Sequence, residues 1–447
     1  MKNKNELTII IKELLGRLRF VIFSKDISFS VARLLFLKYA VDNSIRAYDI
    51  DSMQIYARAQ KMFSMRDVET GIDAVVPVLQ FIDHEYGLDR ILSSQENIDF
   101  YASELFGIDI KRQRKNATLT GFRDVMSILG SVDLEEDGTD HECGKAIVDA
   151  LIDTIVVNSY RSAFTSEYAT KESISKLAKE LLSVKPTDTF CDFTSGIGMS
   201  TLYITKDAMP QVSNAEINRT TAAISAMLYI MYGYEKIELI CTDSLSDQIP
   251  EIAGNKIFVD PPISVRLEKN HINKFADSSA AALHRLVFNY LDQTEDSIGI
   301  MTTPTSLLFQ SKPAVVELRS EIVDSGILKA VIALPPLWGG TSMGTNIIVI
   351  SRKSTPYTVF VNAATATNKR DNGIIIADDI IARIMTAINQ EIAIEGFSDV
   401  VENSVIKSKG YNLVPANYVS ERKKQDDITL AEIDEKLNDL YRQLMNQ

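Results

Sequence analysis

At residues 189–202 the chain reads TFCDFTSGIGMSTL, an apolar run followed by a glycine-containing loop. The pattern predicts a short buried strand, a tight loop and a helix that begins near Met199. Glycines in such a loop let the backbone approach a ligand closely at a helix N-terminus. The same arrangement occurs in nucleotide-binding enzymes of many kinds and in loops that bind nothing. The neighbouring segments must therefore identify the ligand.

Short runs rich in β-forming residues alternate with helical patterns between residues 165 and 355. The seven runs are TFCDF, QVSNAEI, KIELICT, NKIFVD, SIGIMTT, LKAVIAL and NIIVISR. This alternation predicts an α/β fold with a seven-stranded, doubly wound, Rossmann-like sheet. In such sheets ligands bind beyond the carboxyl ends of the strands, where the strand order reverses. The residues that follow each run are therefore the candidate site residues.

Acidic residues lie at the ends of four successive predicted strands. They are Asp192, Glu216, Asp243 and Asp260. Singly, each is also explained as a solvated loop residue or a helix cap, but four together favour a binding site. No second glycine fingerprint or pyrophosphate site accompanies them, so an adenosyl ligand fits better than a dinucleotide. We expect S-adenosylmethionine, with Asp192 and loop 196–198 at its methionine part, Glu216 at the ribose and Asp243 at the adenine amino group.

The length and apolar content of the chain predict more than one domain. Its 447 residues are 45% hydrophobic, which is sufficient for two or three domains. Residues 1–160 carry apolar residues at helical spacing and predict an all-helical N-terminal domain, residues 161–360 the α/β domain, and residues 361–447 a C-terminal extension. The extension ends in DITLAEIDEKLNDLYRQLMNQ. Its apolar face predicts a partner-docking helix or a helix folded back on its own domain.

Charge and cysteine usage exclude several classes of protein. The net charge of -13 argues against a protein that binds DNA alone through a broad basic face. Basic clusters at residues 111–115 and 422–424 are candidate phosphate contacts or solvated surface. The 3 cysteines and 4 histidines have no metal-binding spacing, so no metal site is expected. The charged N-terminus resembles neither a signal peptide nor a membrane span, which predicts a cytoplasmic protein without a membrane partner.

Six segments occur in the order found in amino-group DNA methyltransferases whose cofactor half comes first. They are SEYAT (166–170), DFTSGIG (192–198), AEIN (215–218), CTDSL (241–245), DPPI (260–263) and LPPLWGGTSMGTNIIVI (334–350). Together with LLFLKYAVDN near the N-terminus, they resemble the methylation (M) subunits of type I restriction–modification systems, which are N6-adenine DNA methyltransferases. The partners that this resemblance implies are DNA, a specificity (target-recognition) subunit and a restriction subunit.

The resemblance also implies the roles of individual residues. The implied S-adenosylmethionine site consists of Tyr168, Thr170, Asp192, Thr194, Gly196, Gly198, Glu216 and Asp243. The implied catalytic turn consists of Asp260, Pro261, Pro262 and Ile263. An adenine amino nitrogen is a weak nucleophile because its lone pair is delocalised into the ring, and the base must be flipped out of the duplex to be reached. Asp260 and the Pro261 carbonyl would then accept the two amino hydrogens, so positioning and hydrogen bonding would supply the rate.

The sequence departs from the family pattern at several positions. Ile263 stands where an aromatic residue normally stacks on the flipped base, a contact worth about 1–3 kcal/mol, and Trp338 and Phe309 are candidate replacements. Asp260 replaces the usual Asn. The glycine loop differs at Phe193, Thr194, Ser195 and Ile197. These departures leave a catalytically degenerate scaffold or DNA-binding partner protein as the alternative to an active enzyme, and a small-molecule or protein methyltransferase as a third hypothesis, which the late GTNIIVI stretch disfavours.

Overall fold

A computed structural model of the chain contains a nine-stranded central sheet. The structure describes residues 3–18, 27–44, 124–159 except 126, 170, 172–246, 251–262, 267, 275, and 277–419 except 338–343, 367, 371 and 372. The strands are β1 (Thr189–Asp192), β2 (Gln211–Glu216), β3 (Ile237–Cys241), β4 (Lys256–Val259), β5 (Ile298–Pro304), β6 (Leu328–Leu334), β7 (Thr345–Ser351), β8 (Tyr357–Asn362), β9 (Asn368–Arg370), β10 (Gly373–Ile375) and β11 (Ser398–Glu402). Strands β9 and β10 form a separate hairpin, so they do not extend the central sheet.

The central sheet has the strand order β11-β8-β6-β7-β5-β4-β1-β2-β3. Strands β1 to β5 pair in parallel, and β7 runs antiparallel between β5 and β6. All seven predicted strands form, and the fold is the predicted Rossmann-like α/β class. The strand order reverses between β1 and β4. The connections that follow these two neighbouring strands run in opposite directions, which leaves a crevice for a ligand between them. Asp192 ends β1 and Asp260 follows β4, so both lie at this crevice.

The sheet has two strands more than the seven that the sequence predicted. Strand β8 pairs in parallel with β6, and β11 pairs antiparallel with β8. Since β8 crosses residue 360, the segment assigned to the C-terminal extension contributes to the sheet. The central residues of β8 are buried, and the added strands cover the backbone edge that β6 would otherwise expose. Only one of the two added strands, β8 and β11, is followed by a long helix. The α/β alternation that marked the other seven strands is therefore weak here.

Helices cover both faces of the sheet. They are α1 (Lys4–Leu18), α2 (Ile27–Ser44), α3 (Glu142–Ser159), α4 (Glu172–Leu182), α5 (Met199–Thr205), α6 (Arg219–Tyr232), α7 (Ser278–Arg285), α8 (Thr305–Phe309), α9 (Pro313–Asp324), α10 (Asp378–Gln390) and α11 (Asn403–Ser408). Alternate residues of each strand face opposite layers. Phe258 of β4 packs in the layer of α1 to α6 and α10, whereas Ile257 and Val259 pack in the layer of α7, α9 and α11. This division of the core is typical of a doubly wound fold.

The described parts of segment 1–160 include α1, α2 and α3. Helices α2 and α3 pack against α6, and α1 packs against α2 and α3. A buried carboxylate, Glu136, accepts hydrogen bonds from the amides of Cys143 and Gly144 at 2.9 and 2.8 Å and from the Tyr39 hydroxyl at 2.9 Å. It therefore caps the N-terminus of α3 and ties it to α2. A Cβ at Gly144 would lie 1.9 Å from the Met231 carbonyl oxygen, so α3 can approach α6 this closely only with glycine there.

Several predicted features lie outside the described residues. These are both basic clusters, 111–115 and 422–424, and the C-terminal apolar helix that begins near residue 427. Within the described ranges, no helix is long and apolar enough to cross a membrane.

Arg319 on α9 is a cation in the core. Its side chain is 2% exposed and donates to three backbone carbonyls, those of Tyr411 at 2.8 Å and of Leu307 and Gln310 at 2.9 Å each. Burial lowers the pKa of the guanidinium. The side chain therefore joins α8, α9 and the loop at residue 411 by three hydrogen bonds, of which the one to Leu307 is fully buried.

Replacing Arg319 with Met should lower the free energy of unfolding by about 3 kcal/mol or more, because each buried carbonyl left without a donor costs about 1–3 kcal/mol. Urea denaturation measures the change. The matched control is Arg383→Met, since Arg383 is exposed on α10 and its guanidinium lies over the Phe397 ring at 4.0 Å. We expect that control to cost under about 1 kcal/mol. Equal losses in the two variants would contradict a special role for Arg319.

Candidate active site at the carboxyl ends of the strands

The glycine loop after β1 is built around Asp192, which is 2% exposed. One oxygen of its carboxylate accepts hydrogen bonds from the backbone amide of Thr194 at 2.9 Å and from the Thr194 hydroxyl at 3.3 Å. Gly196 and Gly198 both have positive φ angles, 55° and 79°. A Cβ at Gly198 would lie 2.4 Å from the Tyr229 hydroxyl. The loop thus requires glycine at position 198 for both its backbone conformation and its packing.

The Glu216 carboxylate, at the end of β2, holds this loop in place. One oxygen accepts from the Gly196 amide at 2.9 Å, and the other accepts from the Asn218 amide at 2.7 Å. An ionised carboxylate has about four acceptor positions, so Glu216 keeps acceptor capacity for another donor. The side chain is partly exposed and can reach a ligand in the crevice.

Asn214, which the sequence analysis missed, supports the site through hydrogen bonds. This fully buried side chain accepts from the Asp192 amide at 2.9 Å and donates to the hydroxyls of Thr201 at 3.0 Å and Tyr229 at 2.9 Å. It therefore links β1, β2, α5 and α6. The signal that could have found it is a polar residue in the middle of QVSNAEI, where a buried strand normally has an apolar one.

Asp260 is held by three threonines from separate segments. Its two carboxylate oxygens accept from the Thr170 hydroxyl, at 2.6 Å, and from the Thr302 hydroxyl. Its backbone amide donates to the Thr194 hydroxyl at 3.2 Å. Thr194 therefore contacts both Asp192 and Asp260. Thr170 was predicted to bind cofactor and lies at the catalytic turn, and Thr302 was missed, although two consecutive threonines end the run SIGIMTT.

The Asp243 turn lies beside the glycine loop. Asp243 accepts from the Leu245 amide at 3.0 Å. The neighbouring Ser244 donates its hydroxyl to the Phe193 carbonyl and accepts from the Tyr290 hydroxyl at 2.9 Å. The rings of Phe193 and Tyr290 lie 4.6 Å apart. These contacts fix the ends of β1 and β3 relative to each other, on the two sides of β2.

The prolines of the catalytic turn differ in their surroundings. Pro261 is buried, and no described residue donates a hydrogen bond to its carbonyl. Pro262 is exposed, and its carbonyl accepts from the Ser278 hydroxyl at 2.7 Å at the start of α7. The two carbonyls therefore differ in that, among the described residues, only that of Pro262 has a hydrogen-bond donor.

Two of the predicted site residues, Tyr168 and Ile263, lie outside the described residues, as does the candidate stacking residue Trp338. Phe309, the other candidate, is 54% exposed at the end of α8. The structure brings the remaining predicted residues together at one edge of the sheet. They are Thr170, Asp192, Thr194, Gly196, Gly198, Glu216, Asp243, Asp260, Pro261 and Pro262.

The site is strongly acidic. Burial, opposed in part by hydrogen bonds from Thr194, raises the pKa of Asp192 to about 8, with the nearby Asp260 and Glu216 carboxylates adding to the shift. Burial also raises the pKa of Glu216 and of Asp260, against the hydrogen bonds that each accepts. No lysine or arginine of the described residues forms an ion pair with these three acids, and the described residues contain no His, Cys, Asp and Glu cluster suited to a metal. Such a site favours a cationic ligand.

Comparisons with known proteins give one family and one fold. A sequence profile of the N-6 DNA methylase family matches residues 156–427. The type I restriction enzyme MjaVIII methylase subunit of Methanocaldococcus jannaschii is 24% identical over 318 residues, 63% of this chain and 54% of that protein. The chain thus spans about half the length of this curated relative.

Two solved structures share the fold. The type I restriction-modification system methyltransferase subunit from Streptococcus thermophilus has a TM-score of 0.71 at 19% identity, and the match covers 94% of this chain and 100% of that one. A chain from work on complex assembly and conformational transition of the type I R-M system has a TM-score of 0.67 at 14% identity, over 100% of this chain and 97% of that one. At these identities the likeness establishes the fold alone.

Proposed function

The chain belongs to the N-6 DNA methylase family, and from this premise we propose that it transfers a methyl group from S-adenosylmethionine to the N6 atom of an adenine in DNA. It does so as the methylation subunit of a type I restriction–modification complex. The observation that carries the proposal is the placement of Asp260, whose carboxylate is held by Thr170 and Thr302 beside the crevice that Asp192 and Glu216 line.

The acidic crevice suits the charge of this cofactor. S-adenosylmethionine carries a sulfonium and an ammonium group, and its sulfonium activates the methyl carbon for attack. Asp192 and loop 196–198 would hold the methionine part, Glu216 the ribose hydroxyls and Asp243 the adenine amino group. Carboxylates that burial desolvates, and that pair with no cation among the described residues, gain most from such a ligand, because the ligand offsets their desolvation.

Asp260 and Pro261 act on the base. With the adenine flipped out of the duplex, a carboxylate oxygen of Asp260 accepts one amino hydrogen and the Pro261 carbonyl accepts the other. Both bonds strengthen as the nitrogen gains positive charge and its lone pair turns from the ring towards the methyl carbon. The N–C bond would form as the C–S bond breaks, with the thioether as the leaving group, and one amino proton would then pass from the nitrogen to solvent.

Partner subunits would contribute to DNA recognition. The net charge of -13 disfavours tight binding to DNA by the chain alone, so a specificity subunit would choose the target sequence and contribute the phosphate contacts. A restriction subunit would join the same complex. The helix that the sequence predicts from about residue 427 is the proposed docking element for a partner subunit.

The direct test measures cofactor binding by calorimetry and then methyl transfer to DNA with the specificity subunit present. We expect S-adenosylmethionine binding by the chain and tritiated methyl in adenine. Binding without transfer would favour the alternative function, a catalytically degenerate scaffold. Transfer to a small molecule or a protein, with none to DNA, would overturn the proposal.

Ile263→Phe should raise methyl transfer by up to about tenfold, because an aromatic ring at this position restores a stacking surface worth about 1–3 kcal/mol. The tritium assay measures the change. The matched control is Ile9→Phe on α1, where the side chain is 66% exposed and remote from the crevice.

A scaffold protein predicts no turnover in the wild type and none in the Ile263 variant. A wild type that is active and loses activity with Phe would mean that isoleucine suits its pocket. The assumption of a missing stack would then be wrong.

A further inference from the structure

Thr302 is placed to act on the Asp260 carboxylate. It lies in β5, which pairs in parallel with β4, and the register of Val259 with Met301 puts Thr302 beside Asp260. Its side chain is 3% exposed and donates its hydroxyl to Asp260 Oδ1. Strand β7 pairs with β5 on the other side, where Thr302 lies opposite Ile347. The donor therefore sits on a strand that is fixed from both sides.

The second hydroxyl donor comes from a different kind of segment. Thr170 donates to Oδ2 of Asp260 at 2.6 Å and precedes α4, outside the sheet. With one donor on each oxygen, the plane of the carboxylate is defined, and one acceptor position remains on each oxygen. Of the two donors, Thr302 is the one whose backbone is held within the sheet.

Packing alone does not require threonine at position 302. Valine has nearly the same shape and equal preference for a strand, and it would avoid burying a hydroxyl. The hydroxyl gains its value from Asp260, which is its hydrogen-bond partner. Thr303, the next residue, is also buried but forms only a 3.4 Å contact with the carbonyl of Pro304.

We propose that Thr302 is a positioning residue, which fixes the orientation of the Asp260 carboxylate so that its free acceptor position meets the amino hydrogen of the target base. This inference rests on the proposed function, since the base is the substrate assigned there. It adds a residue that acts through Asp260 and does not itself touch the reacting atoms.

Thr302→Val is expected to lower kcat about tenfold, the size expected for one lost hydrogen bond to a charged group, with KM for S-adenosylmethionine unchanged. The hydrogen bond from the Thr302 hydroxyl lowers the pKa of Asp260 in the wild type, so its loss raises that pKa. The acid limb of the kcat–pH profile should therefore move to higher pH. The other acids near Asp260 in the crevice are Asp192 and Glu216, which are unchanged in Thr302→Val. Thr302→Ser should restore kcat and profile, and Thr303→Val should leave both unchanged.

Crystal structures of the wild type, Thr302→Val and Thr303→Val provide a readout that needs no activity. The Asp260 carboxylate should rotate in the first variant and keep its orientation in the second. An unrotated carboxylate in Thr302→Val, or an unchanged kcat and pH profile, would overturn the inference. If the wild type transfers no methyl even with its specificity subunit, the proposed function fails. The orientation of Asp260 in the two variants still decides whether Thr302 positions it.

Discussion

Replacement of Asp260 with Ala should lower methyl transfer by about 10³-fold or more and leave S-adenosylmethionine affinity within about threefold. The carboxylate accepts a hydrogen bond that strengthens as the adenine nitrogen becomes positively charged, so its loss raises the barrier more than it weakens binding. Calorimetry measures the affinity, and tritiated methyl incorporation with the specificity subunit measures the rate. A variant within about tenfold of the wild-type rate would contradict the assignment.

The matched control for this prediction is Asp260→Asn, which keeps an acceptor oxygen but cannot titrate. It should retain activity, because the family normally has Asn at this position. Burial raises the pKa of Asp260, so wild-type activity should fall as the pH falls through that raised pKa, where the carboxylate becomes protonated. The Asn variant should lack this acid limb. Identical pH profiles in the two proteins would show that another group, such as Asp192, is responsible for the limb.

Much of the crevice could be predicted because local rules govern it. Asp192, Glu216 and Asp243 each follow an apolar run, and residues at the ends of parallel strands meet at one edge of a sheet. The glycine at position 198 was predicted for a close approach of the backbone, and the structure adds that Tyr229 leaves no room for a Cβ there. These inferences needed only the residues within each segment and the rule for α/β sheets.

The polar network beneath and around these acids could not be predicted in the same way. The partners of Asp260 lie 90 residues away at Thr170 and 42 residues away at Thr302, and no local pattern joins them. Asn214 pairs with Asp192 only because β1 and β2 are neighbours in register. The strands β8 and β11 were missed for a related reason. Strand β8 pairs with β6, which lies earlier in the chain, and β11 pairs with β8.

The second large effect is expected for Glu216→Ala, which should weaken S-adenosylmethionine binding about 100-fold, or about 2.7 kcal/mol. Two contributions add. The carboxylate would lose its bonds to the ribose hydroxyls, each worth about 1.5–3 kcal/mol when the acceptor is charged. The Gly196 amide, which donates a hydrogen bond to the carboxylate at 2.9 Å, would lose its acceptor, so the glycine loop would become less well ordered. Titration calorimetry of the purified chain measures the affinity.

Glu216→Gln separates these two contributions. Its single carbonyl oxygen can hold the amide of Gly196 or that of Asn218 but not both, so we expect an intermediate loss of about tenfold. The control is Glu238→Ala on the adjacent strand β3. Among the described residues, this carboxylate accepts from the Ser213 hydroxyl alone, at 3.3 Å, so its loss should not affect the cofactor. Equal binding by wild type and Glu216→Ala would place the ribose elsewhere. No binding by either protein would remove the cofactor from the crevice, and with it the reason for placing three acids together at the end of the sheet.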